Sequence, residues 1–154
     1  MSSLKDQLQA DLTAAIRAQD DVVRSTLRMA LTAITRAEVA GKTHTTLTDD
    51  QVLGLLRSEI NKRAEAADIF AAAGRNELAA RERAEAKVLV PYLPAELSDE
   101  ALAAIVTEEV SRAQQEGVTG GRAMGSVIKA VRGRVGQQAS GGRIAQAVKA
   151  ALSS

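Results

Sequence analysis

The sequence predicts an all-α protein of seven helices in two parts. Alanine, leucine, glutamate, arginine and glutamine, which favour helices, are abundant in the 154 residues, and aromatic residues are nearly absent. The β-branched residues fall within helical periods instead of alternating along the chain. Both prolines stand close together, in Pro91-Tyr-Leu-Pro94. We therefore expect an N-terminal four-helix domain (1–90), a linker (91–97) and a C-terminal three-helix tail domain (98–154).

Apolar residues at helical spacing predict the first two helices. Ser3 is a candidate N-cap for the first helix, and Asp20 for the second, which should end near Gly41. The apolar face of the first helix consists of Leu4, Leu8, Leu12, Ala15 and Ile16. That of the second consists of Val23, Leu27, Ala30, Leu31 and Ile34. Each stripe indicates a helix that buries one face and exposes the other.

A polar, threonine-rich stretch at 41–47 predicts a loop before a long third helix. Thr48 and Gln51 form a capping-box pattern at the start of this helix, and Gly74 is placed to end it. Arg63 falls within its apolar stripe. A buried guanidinium needs a partner, so either the stem of Arg63 reaches out to solvent or a carboxylate from a neighbouring helix meets it.

The fourth helix is predicted to start at Asn76 and to run through Leu89. In this interpretation Glu82, Glu85 and Lys87 lie on its wetter side. The carboxylates of Glu82 and Glu85 are one helical turn apart, and a solvated face explains them better than an acid–base pair does.

The proline segment predicts the boundary between the two parts, because proline lacks a backbone donor and disfavours helical geometry in the residue before it. Three helices should follow. Ser98 can cap the fifth helix, which should end at Gly117. The sixth helix should begin after the glycine pair that ends at Gly121, and 133–142 should form a loop. Ser140 is a candidate N-cap for the seventh helix.

Charge is sorted along the chain. Residues 117–154 hold six basic residues and no acid, whereas the residues before them hold 14 Lys and Arg against 19 Asp and Glu. The near-neutral total of +1 therefore conceals a basic tail and an acidic remainder. Clustered cations favour contact with a polyanion, because neutralised phosphates release counterions. We expect an acidic N-terminal domain that is held away from phosphate or offered to a protein partner.

The six cations of the tail are the candidate nucleic-acid-binding residues: Arg122, Lys129, Arg132, Arg134, Arg143 and Lys149. At roughly 100° per residue, Arg122 and Lys129 lie almost opposite the apolar stripe of the sixth helix. Arg132 and Arg134 lie on the two flanks of that stripe. An ordinary solvated face is the alternative interpretation, but such faces usually mix charges of both signs.

No catalytic or metal-binding pattern stands out. The absence of cysteine excludes disulfides, thiolate nucleophiles and zinc–thiolate sites, and the single histidine, His44, lacks triad partners at a suitable spacing. We expect no catalytic residue, metal or cofactor. The N-terminus has an acid where a signal peptide would begin its apolar run, and no apolar stretch approaches the ~18 residues of a membrane span. We expect a soluble, cytoplasmic protein without membrane contact.

Several short motifs, in order along the whole chain, resemble those of the GatB/YqeY family. The most specific are Ala73-Gly74-Arg75, Tyr92-Leu93-Pro94 and Met124-Gly125. Further matching positions are Leu27-Arg28-Met29, Ala33-Ile34, Glu38, Glu59, Lys62-Arg63, Glu65, Phe70, Leu78-Ala79, Glu82, Glu85, Leu89, Leu97, Val127, Lys129 and Gly142-Arg143. The sequence departs from the family pattern at Ile128, where methionine is common, and at Ser140, where an aspartate precedes the glycine.

The resemblance implies an all-helical protein with a small three-helix tail. The family includes stand-alone YqeY-like proteins and the C-terminal part of the B subunit of the tRNA-dependent amidotransferase, whose related tail is thought to contact the tRNA body. The resemblance thus implies a protein that has the tRNA-contacting region of this subunit but lacks its catalytic centre. The family label also implies a carbon–nitrogen ligase that uses glutamine as amido-N-donor, although no residue here supports catalysis and a shared fold does not transfer chemistry.

Three functional hypotheses follow from the sequence. The first is a non-catalytic module that binds tRNA or another structured RNA through its basic tail. The second is a protein-interaction adaptor whose two helical parts hinge at the prolines. The third is the amide-forming ligase that the family label implies. Single-strand RNA readers stack bases on aromatic side chains, and the tail has none, so the first hypothesis is restricted to folded RNA.

Overall fold

A computed structural model of the chain describes residues 3–153, and these form seven α-helices, two short 3₁₀ turns and no strand. The helices are α1 (Leu4–Ala18), α2 (Asp21–Val39), α3 (Asp49–Ala72), α4 (Asn76–Leu89), α5 (Asp99–Gln115), α6 (Gly121–Val135) and α7 (Gly141–Leu152). The 3₁₀ turns are Val90–Tyr92 and Gly136–Gln138. The prediction of an all-α protein is confirmed.

The chain divides into two compact units, Met1–Leu93 and Pro94–Ser154, which we call the first unit and the second unit. The first unit contains α1 to α4, and its core consists of Leu8, Leu27, Ala30, Ile34, Val52, Leu56 and Leu89. The second unit contains α5 to α7. Its core consists of Leu102, Val106, Val110, Ala113, Val127, Val131, Val135, Ala139, Ile144 and Val148. Tyr92 belongs to the first unit, where its hydroxyl donates a hydrogen bond to Asp11 on α1.

The helix starts follow the capping residues of the sequence. The side chains of Ser3, Asp20, Thr48, Ser98 and Ser140 each accept a hydrogen bond from a backbone N–H in the first turn. At Thr48 the capping box is complete, because the Gln51 side chain also accepts from the Thr48 N–H at 2.9 Å. These bonds satisfy donors that a helix start leaves without partners, which is why the five predicted starts are correct.

Two predictions are wrong: the residue at which α6 ends, and the exposure of Glu85 on α4. α6 does not stop at Gly133 but runs on to Val135, because Val131 and Val135 continue the buried stripe of the helix. It ends at Gly136, whose positive φ of 55° suits glycine. On α4, Glu85 does not lie on the wet side. Its side chain is buried, so the helix face that carries it is an inward one.

The buried partner of Glu85 is Arg63 on α3. Arg63 is 5 % exposed, and its Nη1 meets Oε2 of Glu85. The other oxygen of Glu85 accepts from Nε of Arg81 at 2.9 Å, and Glu82 lies 3.6 Å from Arg63 Nη1. Of the two alternatives for Arg63, the structure therefore shows the carboxylate from a neighbouring helix. This ion pair joins α3 to α4 across the core of the first unit.

Glu38 fastens the end of α2 to α1 and to the following loop. Its carboxylate accepts from Lys5 Nζ at 2.6 Å and from the Leu47 N–H at 3.1 Å. The hydrogen bond from Lys5 is the main reason that the pKa of Glu38 lies below its ordinary value of 4.5, and the Leu47 bond lowers it further. The folded state thus holds the proton on Glu38 less tightly than the unfolded state does.

This pKa shift makes the first unit sensitive to acid. A lowered folded-state pKa adds stability above pH 4.5 that is lost as the pH falls through the folded value. We expect Glu38→Gln to unfold at lower urea than the parent at pH 7, with the difference shrinking below about pH 4. Tyr92 fluorescence reports on this unit, because it is the only tyrosine and there is no tryptophan. The exposed Glu65→Gln is the control, and an equal pH response in both variants would contradict the assignment.

Candidate nucleic-acid interface

The charges are distributed differently between the two units than the sequence first indicates. The first unit holds 13 basic and 13 acidic residues, so the prediction of an acidic N-terminal domain is wrong. The acidic surplus lies at 94–116, which holds six acids and one arginine and includes α5. Acidic α5 thus belongs to the same compact unit as basic α6 and α7, and the sorting of charge is internal to the second unit.

Two of the six predicted cations, Arg134 and Arg143, form ion pairs with carboxylates of α5. Arg134 Nη1 lies 2.7 Å from Glu108 Oε2 and 3.2 Å from Glu109 Oε1. The hydrogen bonds that Arg134 donates to Glu108 and Glu109 raise the pKa of its guanidinium. The ion pairs of Arg134 could not be read from the sequence, because residues 108 and 134 are far apart along the chain. The adjacent acids Glu108 and Glu109, on the helix that precedes the basic α6, were the one signal that pointed to them.

Arg143 is likewise a structural residue at the start of α7. Its Nη2 donates to Asp99 Oδ1 at 2.8 Å and to the Leu97 carbonyl at 2.9 Å, and its Nη1 lies 3.7 Å from Glu96. These contacts hold the beginning of α7 to the segment that leads into α5. The guanidinium is therefore committed to the fold of the second unit, like that of Arg134.

The four remaining cations have no carboxylate within ion-pair distance in the part of the chain that the structure describes. They are Arg122, Lys129, Arg132 and Lys149, and all four are exposed. On α6 the outer two of the first three, Arg122 and Arg132, are ten residues apart, which is about 15 Å along the helix axis. Gly125 and Ser126, between Arg122 and Lys129, and Gly133, directly after Arg132, are small exposed residues. A flat or convex polyanion can therefore approach the helix backbone closely along this face.

Arg132 connects the basic face of α6 to the start of α7. Its Nη2 lies so close to Gly141 that a Cβ at that residue would be 2.5 Å from it. Gly141 and Gly142 occupy the first turn of α7, whose N-cap is Ser140. We call Arg122, Lys129 and Arg132 on α6, together with Lys149 on α7, the basic surface of the second unit. No acidic residue occurs in 117–154, so no carboxylate from α6 or α7 interrupts it.

Within residues 3–153 no three His, Asp or Glu side chains are grouped closely enough to hold a metal ion. None of the helices described by the structure is both long and apolar enough to cross a bilayer.

The fold and the surface define a class of protein: an all-helical chain of two compact units, in which the second carries four exposed basic groups on α6 and α7 without a carboxylate partner among the described residues. The chain belongs to the YqeY-like family, since the family model described as Yqey-like protein matches residues 5–152, nearly the whole chain. The membership expected from the sequence motifs is confirmed. A search of curated proteins finds none that matches this chain.

Proposed function

We propose that this protein binds structured RNA, such as tRNA, through the basic surface of the second unit. The observation that carries the proposal is that Arg122, Lys129, Arg132 and Lys149 are exposed and free of carboxylates among the described residues. Their charge is not balanced by the acidic α5, which pairs with Arg134 and Arg143 instead. A row of such cations gains free energy from phosphates through counterion release.

The composition of the second unit favours folded RNA over single strands. Both aromatic residues of the chain lie in the first unit, at Phe70 and Tyr92. Unpaired bases are usually held by stacking on aromatic side chains, which the basic surface cannot supply. Recognition by phosphate position and shape is the remaining mode. The resemblance of the tail to the tRNA-contacting part of the amidotransferase B subunit supports the same partner.

The number of free cations limits how steeply binding can depend on salt. Each neutralised phosphate adds about 0.7 to 0.9 to the slope of log affinity against log salt, so four cations give a slope of about 3 to 4 at most. We expect fluorescence anisotropy to show binding of labelled tRNA at 50 mM salt with a slope in this range. An oligouridine of similar length should bind at least about tenfold more weakly, since its phosphates do not form a rigid array and the basic surface has no aromatic side chain on which its bases could stack. Equal affinity for both RNAs would refute recognition of folded RNA.

A further inference from the structure

The first unit contains a groove on α2 that the RNA proposal does not use. The groove is a cavity of about 490 Å³ lined chiefly by one face of α2, with Glu59 of α3 at its side. Three arginines spaced along α2 border it, Arg24, Arg28 and Arg36, which stand over the apolar floor formed by Met29 and Ala33. A cavity of this size is in the range of sites for small organic ligands.

Two of the three arginines carry unbalanced charge. Arg24 is paired with Asp21, with 2.5 Å between Nη2 and Oδ1. Arg28 and Arg36 are exposed and have no carboxylate within ion-pair distance among residues 3–153. The one acid in the lining, Glu59, has Lys62 Nζ at 3.8 Å. The groove is thus electropositive, with a charge suited to a ligand that bears two negative charges.

A buried donor lies behind the floor of the groove. Arg63 is 95 % removed from solvent, and only its Nη1 meets carboxylates, those of Glu85 and Glu82. Its Nη2 points at the sulfur of Met29 at 3.6 Å, and its Nε has no hydrogen-bond partner. A thioether is a weak acceptor, and buried polar groups nearly always have partners, so this side of Arg63 is under-satisfied.

The geometry of the guanidinium aligns the two donors of Arg63, Nε–H and Nη2–H, as a bidentate pair, which we call the fork. Nε–H and Nη2–H lie on the same edge of the planar group, and two parallel N–H donors match the two oxygens of a carboxylate or phosphate. This edge faces Met29, and Met29 is 50 % exposed in the floor of the groove. Met29 thus contacts Arg63 and also lines the groove, and a ligand in the groove would reach the fork after rotation of this flexible side chain.

We propose that the α2 groove binds a small organic oxyanion with two negative charges, a dicarboxylate or a phosphate monoester. One oxyanion group displaces the Met29 sulfur and takes both hydrogen bonds from the Nε/Nη2 edge of Arg63. Arg28 and Arg36 supply the attraction, because Glu85 already balances the charge of Arg63. The Ser25 hydroxyl, also in the lining, is a further donor. The proposal is independent of RNA binding, since α2 belongs to the first unit.

Methyl NMR of the full chain with ¹³C-methyl methionine tests this directly. The chain has three methionines, of which Met29 lines the groove and Met124 lies in the second unit as an internal reference. Glutarate and phenyl phosphate are titrated separately, with sodium chloride at matched ionic strength as the blank. We expect the Met29 signal to shift saturably with one or both probes while the Met124 signal stays in place. The probe that binds tighter identifies the carboxylate or phosphate class.

Two variants locate the binding groups. Arg28→Gln with Arg36→Gln removes the exposed charges without touching the core, and it should weaken binding about tenfold or more. Arg63→Lys keeps the charge opposite Glu85 but lacks the fork, so it should weaken binding by a similar factor even where it folds normally. The proposal is overturned if the Met29 and Met124 signals respond alike, or if the Arg28/Arg36 variant binds both probes as the parent does. It is also overturned if tRNA, and neither probe, moves the Met29 signal.

Discussion

Replacement of Glu85 by alanine is expected to destabilise the first unit by about 3 to 5 kcal/mol, the usual cost of removing one partner from a buried ion pair. The loss is large because Arg63 is 5 % exposed and would keep its charge with only the more distant carboxylate of Glu82, 3.6 Å from its Nη1, as a partner. Arg81 would lose its partner as well. Urea unfolding followed by Tyr92 fluorescence measures this unit alone, since Tyr92 is the only tyrosine and there is no tryptophan.

Two further variants separate the charge effect from the loss of packing. Glu65→Ala removes an exposed carboxylate from α3 and should change stability by no more than about 0.5 kcal/mol. The double variant Arg63→Met with Glu85→Leu removes both charges, and apolar replacements of a buried pair are often neutral or stabilising. It should therefore be markedly more stable than Glu85→Ala. If Glu85→Ala and Glu65→Ala unfold at the same urea concentration, the pair does not stabilise the unit.

Reversal of three free cations on α6 is expected to abolish tRNA binding at low salt. The variant Arg122→Glu, Lys129→Glu and Arg132→Glu loses three phosphate contacts and places carboxylates where phosphates would lie. At roughly 1 kcal/mol for each exposed contact, the affinity should fall by about a hundredfold or more. A gel-retardation assay at 50 mM salt would then show no shifted tRNA. Arg143 is left unchanged, because its contacts with Asp99 and Leu97 belong to the fold.

A control with the same change in net charge lies in the first unit. Arg17, Lys42 and Lys87 are exposed and have no carboxylate within ion-pair distance in the described part of the chain. Their reversal to Glu alters the total charge equally but leaves the basic surface intact. This control should retain most of the affinity for tRNA. If it loses as much as the α6 variant, net charge and not the basic surface governs binding.

Much of the fold could be predicted from local patterns. Helix starts depend on a polar side chain that reaches the N–H groups two or three residues ahead, so Ser3, Thr48 and Ser98 marked them without tertiary information. Gly74 and Gly117 likewise marked the ends of α3 and α5, where the structure has φ of 77° and 75°. The end of α6 was predicted too early, because 133–142 was expected to form a loop, whereas the helix continues to Val135, which is buried on the same face as Val131.

Ion pairs between distant residues could not be predicted from local patterns. In the sequence Glu85 looked like an ordinary solvent-facing acid, and Arg63 was an unexplained arginine in an apolar stripe. Their contact depends on how α3 packs on α4. The same limit applied to the candidate site. The sequence marked six cations in the tail, but only the packing of α5 against α6 and α7 distinguishes Arg134 and Arg143 from the four that remain free.

The most direct test of the account is the salt dependence of tRNA affinity in Lys129→Gln with Arg132→Gln. These residues are assigned to phosphate contact, so the slope of log affinity against log salt should fall by about 1.4 to 1.8 relative to the parent. The same measurement on Lys42→Gln with Lys87→Gln, in the first unit, should give the parental slope. An unchanged slope in the Lys129/Arg132 variant would contradict the assignment of RNA binding to the basic surface.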